Sequence, residues 1–533
     1  MTMWDYIVVG AGSAGCVVAN RLSADPGNRV LLVEAGGAAN ALAFKVPALG
    51  ALKAVGNPAS DWMFQTDPDP TRLGKIDMAT RGKVMGGSSS VNGTIYVRGN
   101  RGDYDNWAQC GNTGWDYDSL LPYFQRVEDD RTGLSKTYGR GGHIRLSRAR
   151  GPHPLAHTFI EGLQELGVPA NPDYNGEIQE GAAVTHLNQS RGWRWGASRG
   201  YIDPITSRQN LEVRTGCVVL RVLIQDGRAT GIEFEQDCER QTAHCAGEII
   251  ISGSAYNSPK LLMLSGIGDP EALSELGITV AHANPNVGRN LQEHPATNVV
   301  GYVSARTNNV DMGAVGAAKN MARFALFGSG PATAVFPALS FVKLNQAAEY
   351  PDLQIHFGAF AFDPQPGGIA MLPRPAITFL INVNRSQSRG AVTLRSADPH
   401  MPPRIQPNML SSRYDLETLM AGVKFSRRLL RTKAFAPYFQ GEHRPGDAAE
   451  TDAGLENYIR RTASPCYHPC GSVKMGVDET AVVDPRLRVI GVSGLRVVDS
   501  SIIPQISSGN INAVTMAIGE KGADMILADK AGR

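Results

Sequence analysis

The run DYIVVGAGSAG at residues 5–15 decides the fold of this chain. It joins an apolar strand to a Gly10-x-Gly12-x-x-Gly15 turn, and a helical run and a second strand, RVLLVEAGG at residues 29–37, follow. The three glycines permit a tight turn, close approach of a phosphate to the backbone, and close packing of helix on strand. Free N–H groups at the helix N-terminus favour a pyrophosphate. The stretch predicts an α/β fold with a Rossmann-like dinucleotide site.

Glu34 ends the second strand, where a carboxylate can accept hydrogen bonds from an adenosine ribose. The carboxylate argues against a 2′-phosphate on that ribose. Flavin and nicotinamide dinucleotides share this half-site, so the motif alone leaves FAD and NAD open. Tight packing of a helix on a sheet, with Glu34 in solvent, is the alternative interpretation without a ligand.

The composition is that of an ordinary globular protein. The 533 residues exceed what one core usually holds, so two domains are expected. The net charge is only +2, and the 52 basic and 50 acidic residues are interspersed, which indicates neither a nucleic-acid nor a membrane partner. No apolar run is long enough for a spanning helix, and the chain starts without a leader pattern. A cytoplasmic location is therefore expected.

The seven cysteines are scattered and odd in number, which suits free thiols in a reducing compartment. Cys466 and Cys470 flank His468 and invite a metal interpretation, but no second ligand pair stands elsewhere in the sequence. We therefore predict no metal site.

The segment RGKVMGGSSSVNGT, residues 81–94, is too rich in small residues to build a core. Such a segment lets backbone approach a flat ligand and offers it N–H and hydroxyl donors. A flexible surface loop is the alternative. Apolar and aromatic residues resume at once in residues 95–98, which favours a segment held between ordered elements.

The rest of the chain alternates between two sequence patterns, one like the N-terminal nucleotide-binding segment and one typical of antiparallel strands with helices. Strand, turn and helix recur around residues 248–268, which would return the chain to the nucleotide domain. The C-terminal blocks at 466–476, 494–504 and 508–515 again combine strands, small residues and a helix start. The remaining predicted elements are a helix at 157–166, antiparallel strands at 211–214, 217–224 and 229–234, strands at 351–357, 376–383 and 388–395, and helices at 414–430 and 516–528.

We therefore predict two interleaved domains. A Rossmann-like cofactor domain comprises residues 1–150, 196–306 and 464–533, and a substrate domain, an antiparallel sheet backed by helices, comprises residues 151–195 and 307–463.

Together these blocks resemble the glucose/methanol/choline (GMC) family of flavoprotein alcohol oxidoreductases, nearly end to end. The resemblance rests on the N-terminal fingerprint with Glu34, on residues 81–92 and 253–268, and on the C-terminal blocks. Residues 286–294 and 388–399 are further family-like stretches. The resemblance implies FAD and oxidation of an alcohol by hydride transfer to flavin N5.

In this family a histidine and, further along, a histidine or asparagine face the flavin, and the matching positions are read here as His468 and Asn512. A neutral imidazole can accept the hydroxyl proton while hydride leaves the alcohol carbon. Asn512 would hold the substrate oxygen and stabilise alkoxide charge. A structural histidine and a helix N-cap are the alternative interpretations of the two residues.

The resemblance assigns further residues to FAD. Asp499 resembles a contact to the ribityl or pyrophosphate part, Val218 the backbone contact to adenine, and Asn92 a residue near the isoalloxazine. Val91 stands where covalently flavinylated members carry a histidine, so dissociable FAD is expected. The full set assigned to FAD is Gly10, Gly12, Ser13, Ala14, Gly15, Glu34, Ala35, Arg81, Val84, Gly86, Gly87, Ser88, Asn92, Gly93, Thr94, Val218, Gly253, Asp499, Ser500, Asn510, Asn512 and Ala513.

The substrate side carries a weaker signal. His356 matches a substrate-side histidine of choline-handling relatives, and Phe336 and Phe357 are candidates for an apolar pocket. The stretch after Gly330-Pro331 offers no carboxylate to a quaternary ammonium, which argues against choline. A primary alcohol with an apolar, aromatic or polyether body is favoured over a sugar or polyol.

Three other functions stay open at this point. Some proteins that resemble this fold are lyases that cleave cyanohydrins with the flavin redox-idle. A non-catalytic flavin scaffold and a nicotinamide-dependent enzyme are the others. The sequence does not indicate whether oxygen, a quinone or a cytochrome reoxidises the flavin, nor the oligomeric state.

Overall fold

The computed structural model describes residues 3–345, 347–365 and 368–532, and its chain forms two large sheets. The first sheet, in spatial order, consists of Leu211–Arg214, Val30–Val33, Met3–Val9, Glu239–Ile251, Arg228–Gln236 and Cys217–Gln225, with Leu495–Val497 paired to Glu239–Ile251.

The parallel part of the first sheet is built around the N-terminal strand. Val30–Val33 and Glu239–Ile251 flank Met3–Val9 in parallel, and every residue of Val30–Val33 is buried. A continuous apolar run of this kind is typical of a parallel strand covered on both faces. Leu211–Arg214 also pairs in parallel with Val30–Val33, so the predicted antiparallel arrangement was wrong for this strand and holds only from Cys217–Gln225 onward.

The second sheet is antiparallel. In spatial order it consists of Phe439–Arg444, Pro295–Val303, Ala376–Val383, Leu353–Gly358, Ala338–Val342 and Gly181–Val184, with Ser464–Pro465 paired to Pro295–Val303. Successive side chains of a strand point to opposite faces. Ile355 and Phe357 therefore pack into the core beneath the helices Leu155–Glu165 and Arg413–Leu430, while His356 points to the other face.

Helices cover both sheets. The predicted helices 157–166, 414–430 and 516–528 correspond to Leu155–Glu165, Arg413–Leu430 and Asn512–Ala531. The other α-helices are Ser13–Leu22, Leu42–Lys45, Pro47–Leu49, Arg101–Gln109, Tyr117–Val127, Ser254–Leu264, Pro270–Glu275, Ala314–Phe327 and Asp452–Thr462. Short 3-10 or π turns are Gly50–Ala54, Pro70–Arg72, Gly87–Ser90, Ser198–Ile202, Asp203–Ile205, Asn308–Asp311, Asp447–Ala449 and Ser500–Ile502.

Small two-stranded ladders complete the described structure. The predicted strand 388–395 is reduced to Ala391–Thr393, which pairs with Arg404–Gln406 outside the large sheets. The other ladders are Glu128–Asp129 with Ile144–Arg145, Ser147–Arg148 with His186–Leu187, Gln189–Ser190 with Trp193–Arg194, Ile267–Gly268 with His282–Ala283, and Phe362–Gln365 with Gly368–Met371.

The strand Pro295–Val303 connects the two parts of the molecule. It belongs to the second sheet, although the predicted domain boundary at residue 306 placed it with the cofactor domain. Its hydrogen-bonded neighbours come from Ala376–Val383 and Phe439–Arg444, far away in sequence. Sequence pattern does not reveal such long-range pairing.

The glycine turn of the fingerprint is tightly packed. A Cβ on Gly15 would lie 1.9 Å from the carbonyl oxygen of Gly10, and a Cβ on Gly10, whose φ is +99°, would lie 2.5 Å from that of Ser252. Both neighbours are backbone atoms, so neither can move without displacing a strand or the turn. The helix Ser13–Leu22 can therefore approach the sheet only if these positions are glycine.

We predict that Gly15→Ala destabilises the protein by about 1–3 kcal/mol or more and lowers its flavin content, because the added methyl group overlaps the backbone of the turn. Thermal unfolding and the ratio of flavin to protein absorbance measure both effects. Gly37→Ala is the matched control, since a Cβ there meets no atom within 4 Å. Equal melting temperatures for the two variants would contradict the proposed packing constraint.

Candidate active site

A cavity of about 940 Å³ runs from the fingerprint to one face of the second sheet. Its wall includes the glycine turn, the 81–94 segment, the C-terminal blocks and the face of the second sheet that carries His356. The segments singled out in the sequence are thus brought together from distant parts of the chain. The cavity has one end at the dinucleotide fingerprint and another at the second sheet.

The glycine-serine segment forms one wall of the fingerprint end. The Gly86 N–H donates to the carbonyl of Ala11 at 2.7 Å, and a Cβ on Gly87 would lie 2.9 Å from the Cα of Gly12. The two glycine-rich segments therefore pack against each other through backbone atoms. This packing leaves an open surface of N–H groups and small side chains for a flat ligand.

Two helices start at this wall, Ser13–Leu22 and Asn512–Ala531. Neither has a side-chain hydrogen bond at its N-cap in the described structure. Their first-turn N–H groups and positive dipole ends therefore remain suited to anionic or carbonyl oxygens of a ligand. The Ser13 hydroxyl donates to Asn512 Oδ1 at 2.7 Å and joins the two helix starts.

Glu34 lies in the cavity wall with its carboxylate anchored by backbone donors. It accepts hydrogen bonds from the N–H groups of Ala11 and Gly36, both at 2.8 Å. Burial raises the pKa of Glu34 to about 7, and the two backbone N–H groups oppose that rise. The carboxylate is thus fixed in orientation at the cavity, as a ribose acceptor requires.

Asp499 is anchored in the same way. Its carboxylate accepts from the Ser254 N–H at 2.8 Å, the Ser258 hydroxyl at 2.6 Å and the Ser501 N–H at 2.7 Å. Burial raises the pKa of Asp499, while these donors lower it. Asp499 therefore positions the start of Ser254–Leu264 beside the cavity as well as lining it.

His468 stands at the junction of the two ends of the cavity and belongs to a directed chain of hydrogen bonds. His294 Nε2 lies 3.0 Å from the carbonyl oxygen of Asn384, and His294 Nδ1 lies 3.0 Å from His468 Nδ1. A carbonyl can only accept, so His294 carries its proton on Nε2 and accepts at Nδ1. His468 must then carry its proton on Nδ1, which leaves the lone pair on Nε2.

Asn510 completes this chain, and the pairing differs from the predicted one. Asn510 Nδ2 lies 2.9 Å from His468 Nε2 and donates to its lone pair. Gln354 in turn donates to Asn510 Oδ1 at 3.4 Å. Asn512, which the sequence analysis paired with His468, is instead the first residue of the C-terminal helix and accepts from Ser13. The structure therefore brings His468 together with Asn510.

Burial keeps the histidines of this cluster neutral. Desolvation lowers the pKa of His468 well below its usual value, and His294, His356 and Arg81 lower it further. Burial likewise lowers the pKa values of His294 and His356 to about 4. At neutral pH the cluster therefore presents an unprotonated Nε2 on His468.

Glu293 is a functional candidate that the sequence analysis did not single out. Its Oε1 accepts the backbone N–H groups of His294 at 2.9 Å and His468 at 2.7 Å. Burial raises the pKa of Glu293 to about 7, and Arg81 opposes the rise. One carboxylate thus holds the backbone of both histidines. The only available signal was its place before His294 in a family-like stretch.

The substrate candidates separate into two groups. His356 and Phe336 line the cavity with their ring centroids 5.4 Å apart. Among the described residues His356 Nδ1 has no hydrogen-bond partner. Phe357, by contrast, is fully buried against Phe159 and Phe379 on the opposite face of the sheet, so its predicted contact with substrate is wrong.

Most residues predicted to hold the cofactor line this cavity. They are Gly10, Gly12, Ser13, Ala14, Glu34, Ala35, Arg81, Gly87, Ser88, Asn92, Gly93, Val218, Gly253, Asp499, Ser500, Asn510 and Asn512. Five others, Gly15, Val84, Gly86, Thr94 and Ala513, lie behind the wall. Gly15 and Gly86 pack the glycine segments together, and Thr94 accepts a hydrogen bond from Gln189 at 2.7 Å.

The cavity fits a flavin dinucleotide by three observations. The glycine segments leave room for backbone contact, the two helix starts offer donors, and Asn512 Nδ2 is buried in the described structure without a hydrogen-bond partner. An orphaned buried donor calls for an acceptor such as a flavin carbonyl. Ser88, Asn92 and Asn510 are placed to line the flavin part, and Glu34 and Val218 the adenosine part.

Two features are absent from the described residues. No helix there combines the length and the apolar character needed to cross a membrane. No cluster of three or more His, Cys, Asp or Glu side chains is arranged there to hold a metal ion.

Comparison with known proteins identifies the family. Two family models, both described as GMC oxidoreductase, match residues 4–296 and 386–519. Human mitochondrial choline dehydrogenase is 38% identical over 99% of this chain and 90% of its own, and the oxygen-dependent choline dehydrogenase of Sinorhizobium fredii is 38% identical over 98% and 95%. The solved structure of pyridoxine 4-oxidase from Mesorbium loti superposes with a TM-score of 0.88, at 28% identity over 98% of both chains.

These matches extend over nearly the whole chain and therefore include the segments that line the cavity. The fingerprint end fits a flavin dinucleotide, and His468 lines the same cavity as residues of the second sheet. The chain therefore belongs to the GMC oxidoreductases and is an FAD-dependent enzyme that acts on CH–OH groups.

Proposed function

We propose that this enzyme oxidises a primary alcohol to an aldehyde, with His468 Nε2 as the base that takes the hydroxyl proton. The order of hydrogen bonds from Asn384 through His294 to His468 carries the proposal, because it leaves the Nε2 lone pair free of a proton. The lowered pKa of His468 keeps it so at neutral pH. The pairing of His468 with Asn510 supports the same assignment.

The cofactor and two residues of the site have separate roles in the proposed reaction. FAD, when bound, accepts the hydride that leaves the alcohol carbon. His468 Nε2 accepts the hydroxyl proton, and the alkoxide that develops is stabilised by the amide N–H of Asn510. When substrate binds, its hydroxyl group takes the place of the direct hydrogen bond between His468 and Asn510. The hydroxyl donates to His468 Nε2, and its oxygen accepts from Asn510 Nδ2. We assign the role first given to Asn512 to Asn510, and propose Asn512 as a donor to the cofactor.

The cavity wall supports an apolar, aromatic or polyether body for the alcohol. Phe336, Phe360 and Phe362 line the part beside the second sheet, together with Met371 and Leu380. Such a surface gains free energy by excluding water from an apolar body. A sugar or polyol has less apolar surface to bury against these side chains.

The wall does not suit choline, although the two relatives compared above are named as choline dehydrogenases. In the described structure its carboxylates are Glu34, Asp311 and Asp499. Backbone and hydroxyl donors bind Glu34 and Asp499, and Arg306 pairs with Asp311 at 2.5 Å. A quaternary ammonium would therefore meet no free carboxylate and would be costly to desolvate.

We further propose a reducing compartment, the cytoplasm, as the location of the enzyme. The support is that all seven cysteines are unpaired, with Cys16, Cys217, Cys245 and Cys470 buried as free thiols.

We expect His468→Ala to slow anaerobic flavin reduction by an alcohol about 10²- to 10⁴-fold, the usual contribution of a positioned base. Stopped-flow absorbance of the flavin measures the rate. His157→Ala, a change at an exposed histidine of Leu155–Glu165, is the matched control. Unchanged reduction in His468→Ala by every good substrate would overturn the proposal. A flavin that no alcohol reduces in the wild-type enzyme would favour the lyase alternative.

The two asparagines can be separated by the same measurement. Asn510→Ala removes the donor beside His468 Nε2, so we expect flavin reduction to fall about 10²- to 10³-fold. Asn512→Ala removes a donor at the helix start, so its main expected effect is weaker retention of FAD, measured by ultrafiltration. A larger loss of reduction rate in Asn512→Ala than in Asn510→Ala would restore the pairing first predicted from sequence.

The rate of flavin reduction should depend on pH only on the acid side. The pKa of His468 lies well below 6.5, so the imidazole is already unprotonated at neutral pH and a further rise in pH adds no base. We expect a plateau above about pH 7 and a fall toward acid, as His468 gains a proton. A rate that keeps climbing between pH 7 and 9 would contradict a neutral His468.

FAD should be released when the protein is denatured with acid, because Val91 occupies the place of the covalent histidine and an alkyl side chain cannot bond to the flavin. After trichloroacetic acid precipitation the yellow colour should be in the supernatant. Absorbance of the separated fractions measures this, and a yellow pellet would contradict non-covalent binding.

A further inference from the structure

The part of the cavity beside the second sheet contains a cation that the alcohol oxidation does not use. Arg444 lines the cavity and its side chain is 19% exposed. One of its Nη groups donates to the carbonyl of Phe362, and the same group lies 3.6 Å from Asp363 Oδ1. Its Nε is buried and, among the residues described, without a hydrogen-bond partner. A guanidinium is therefore only partly satisfied at a ligand surface.

Strand register places Arg444 on the same face of the sheet as His356. Arg444 pairs with Val300, and Asn298, two residues earlier on that strand, pairs with Leu380, which pairs with His356. Paired residues of antiparallel strands share a face, as do residues two apart on one strand. Asn298, His356 and Arg444 thus form a polar stripe beside apolar side chains such as Phe360 and Leu380, and all three line the cavity.

The charge of Arg444 is not fully balanced by the protein. Asp363 is 41% exposed and its Oδ1 also accepts from His443 Nε2 at 3.1 Å, so this carboxylate is shared and partly in water. The carboxylates of the described wall lie elsewhere and have their own partners, as shown above. A partly buried guanidinium binds an anionic oxygen more strongly than a fully water-exposed arginine does.

We propose that the substrate carries a carboxylate at the end remote from its reacting hydroxyl, and that Arg444 binds it. The inference rests on the proposed alcohol oxidation and names its substrate class, the ω-hydroxycarboxylates. The substrate would then have an apolar spacer between its hydroxyl and its carboxylate. The side chains available to contact this spacer are Phe360, Phe362 and Leu380, which line the cavity.

The strand gives the scale of that spacer. His294 contacts His468, and Val300, the partner of Arg444, lies six residues further along the chain. At about 3.3 Å per residue the two levels are roughly 20 Å apart along the strand. The side chain of Arg444 extends into this interval, so the distance that the substrate must span is shorter. A spacer of medium length, such as that of 8-hydroxyoctanoate, therefore suits the site better than a short hydroxy acid.

The first test uses the wild-type holoenzyme under anaerobic conditions. We expect 8-hydroxyoctanoate to reduce the flavin with a kcat/KM about ten- to hundredfold above those of 1-octanol and methyl 8-hydroxyoctanoate, as one charged hydrogen-bonded pair would give. Octanoate, which has no hydroxyl, should bind more tightly than octyltrimethylammonium. The change in the flavin spectrum on titration measures the binding of each compound. Equal values for acid, ester and alcohol, or tighter binding of the ammonium compound, would overturn the inference.

The second test removes the guanidinium. Arg444→Met should abolish the preference for the acid over the ester and weaken octanoate binding about ten- to hundredfold, while reduction by 1-octanol reports an intact site. Arg444→Lys should retain part of the preference because it keeps the charge. Arg374→Met is the matched control, since Arg374 is exposed over the ring of Tyr302 and does not line the cavity. A preference that survives in Arg444→Met overturns the assignment.

The two proposals fail in different ways. If no alcohol reduces the flavin, the proposed oxidation is wrong, yet octanoate binding still tests Arg444. If 1-octanol reduces the flavin and octanoate does not bind, only the carboxylate inference is wrong.

Discussion

The chemistry of the site depends on one backbone carbonyl. Because the oxygen of Asn384 can only accept, it fixes the proton of His294 on Nε2, and every later hydrogen bond in the series takes its direction from that proton. His468 therefore carries no proton on Nε2, and it lines the cavity. A water molecule in place of Asn384 could donate or accept, and the tautomer of His468 would then be undetermined. Fixed backbone thus sets the protonation pattern.

That carbonyl is held in place by the second sheet, and the histidines are held by the cofactor half. Glu293 bonds the backbone of both His294 and His468, and Asp103 bonds the Ser508 N–H at 2.7 Å and its hydroxyl at 3.0 Å, two residues before Asn510. Neither half alone contains the base and its partners. The strand Pro295–Val303, which begins next to His294, therefore couples the packing of one sheet to the reactive group beside the other.

Sequence was informative where chemistry depends on local geometry. The glycine turn, Glu34 and the 81–94 segment need only short-range rules, and their positions in the cavity follow from those rules. Sequence was less informative where neighbours come from far along the chain. Spacing alone did not separate Asn510 from Asn512, because the difference depends on where the C-terminal helix begins.

Two other differences have equally specific causes. The choice of Phe357 ignored the period of two in a strand, since His356 and Phe357 cannot face the same side. Glu293 and Arg444 carry no local motif at all. Each becomes informative only when a distant backbone group or an opposing strand is placed beside it.

The two ends of the cavity obey different constraints. A hydride acceptor and a neutral base impose the same requirements on every substrate alcohol, so likeness over the whole chain transfers the reaction class. The remote end obeys a different constraint, because it must match the charge of whatever the alcohol carries. Here that end has a cation, Arg444, and no free carboxylate in the described wall. Under the proposed assignment of Arg444, a cationic substrate such as choline would meet a like charge there instead of a partner. Identity of 38% to choline dehydrogenases is therefore compatible with a substrate of opposite charge.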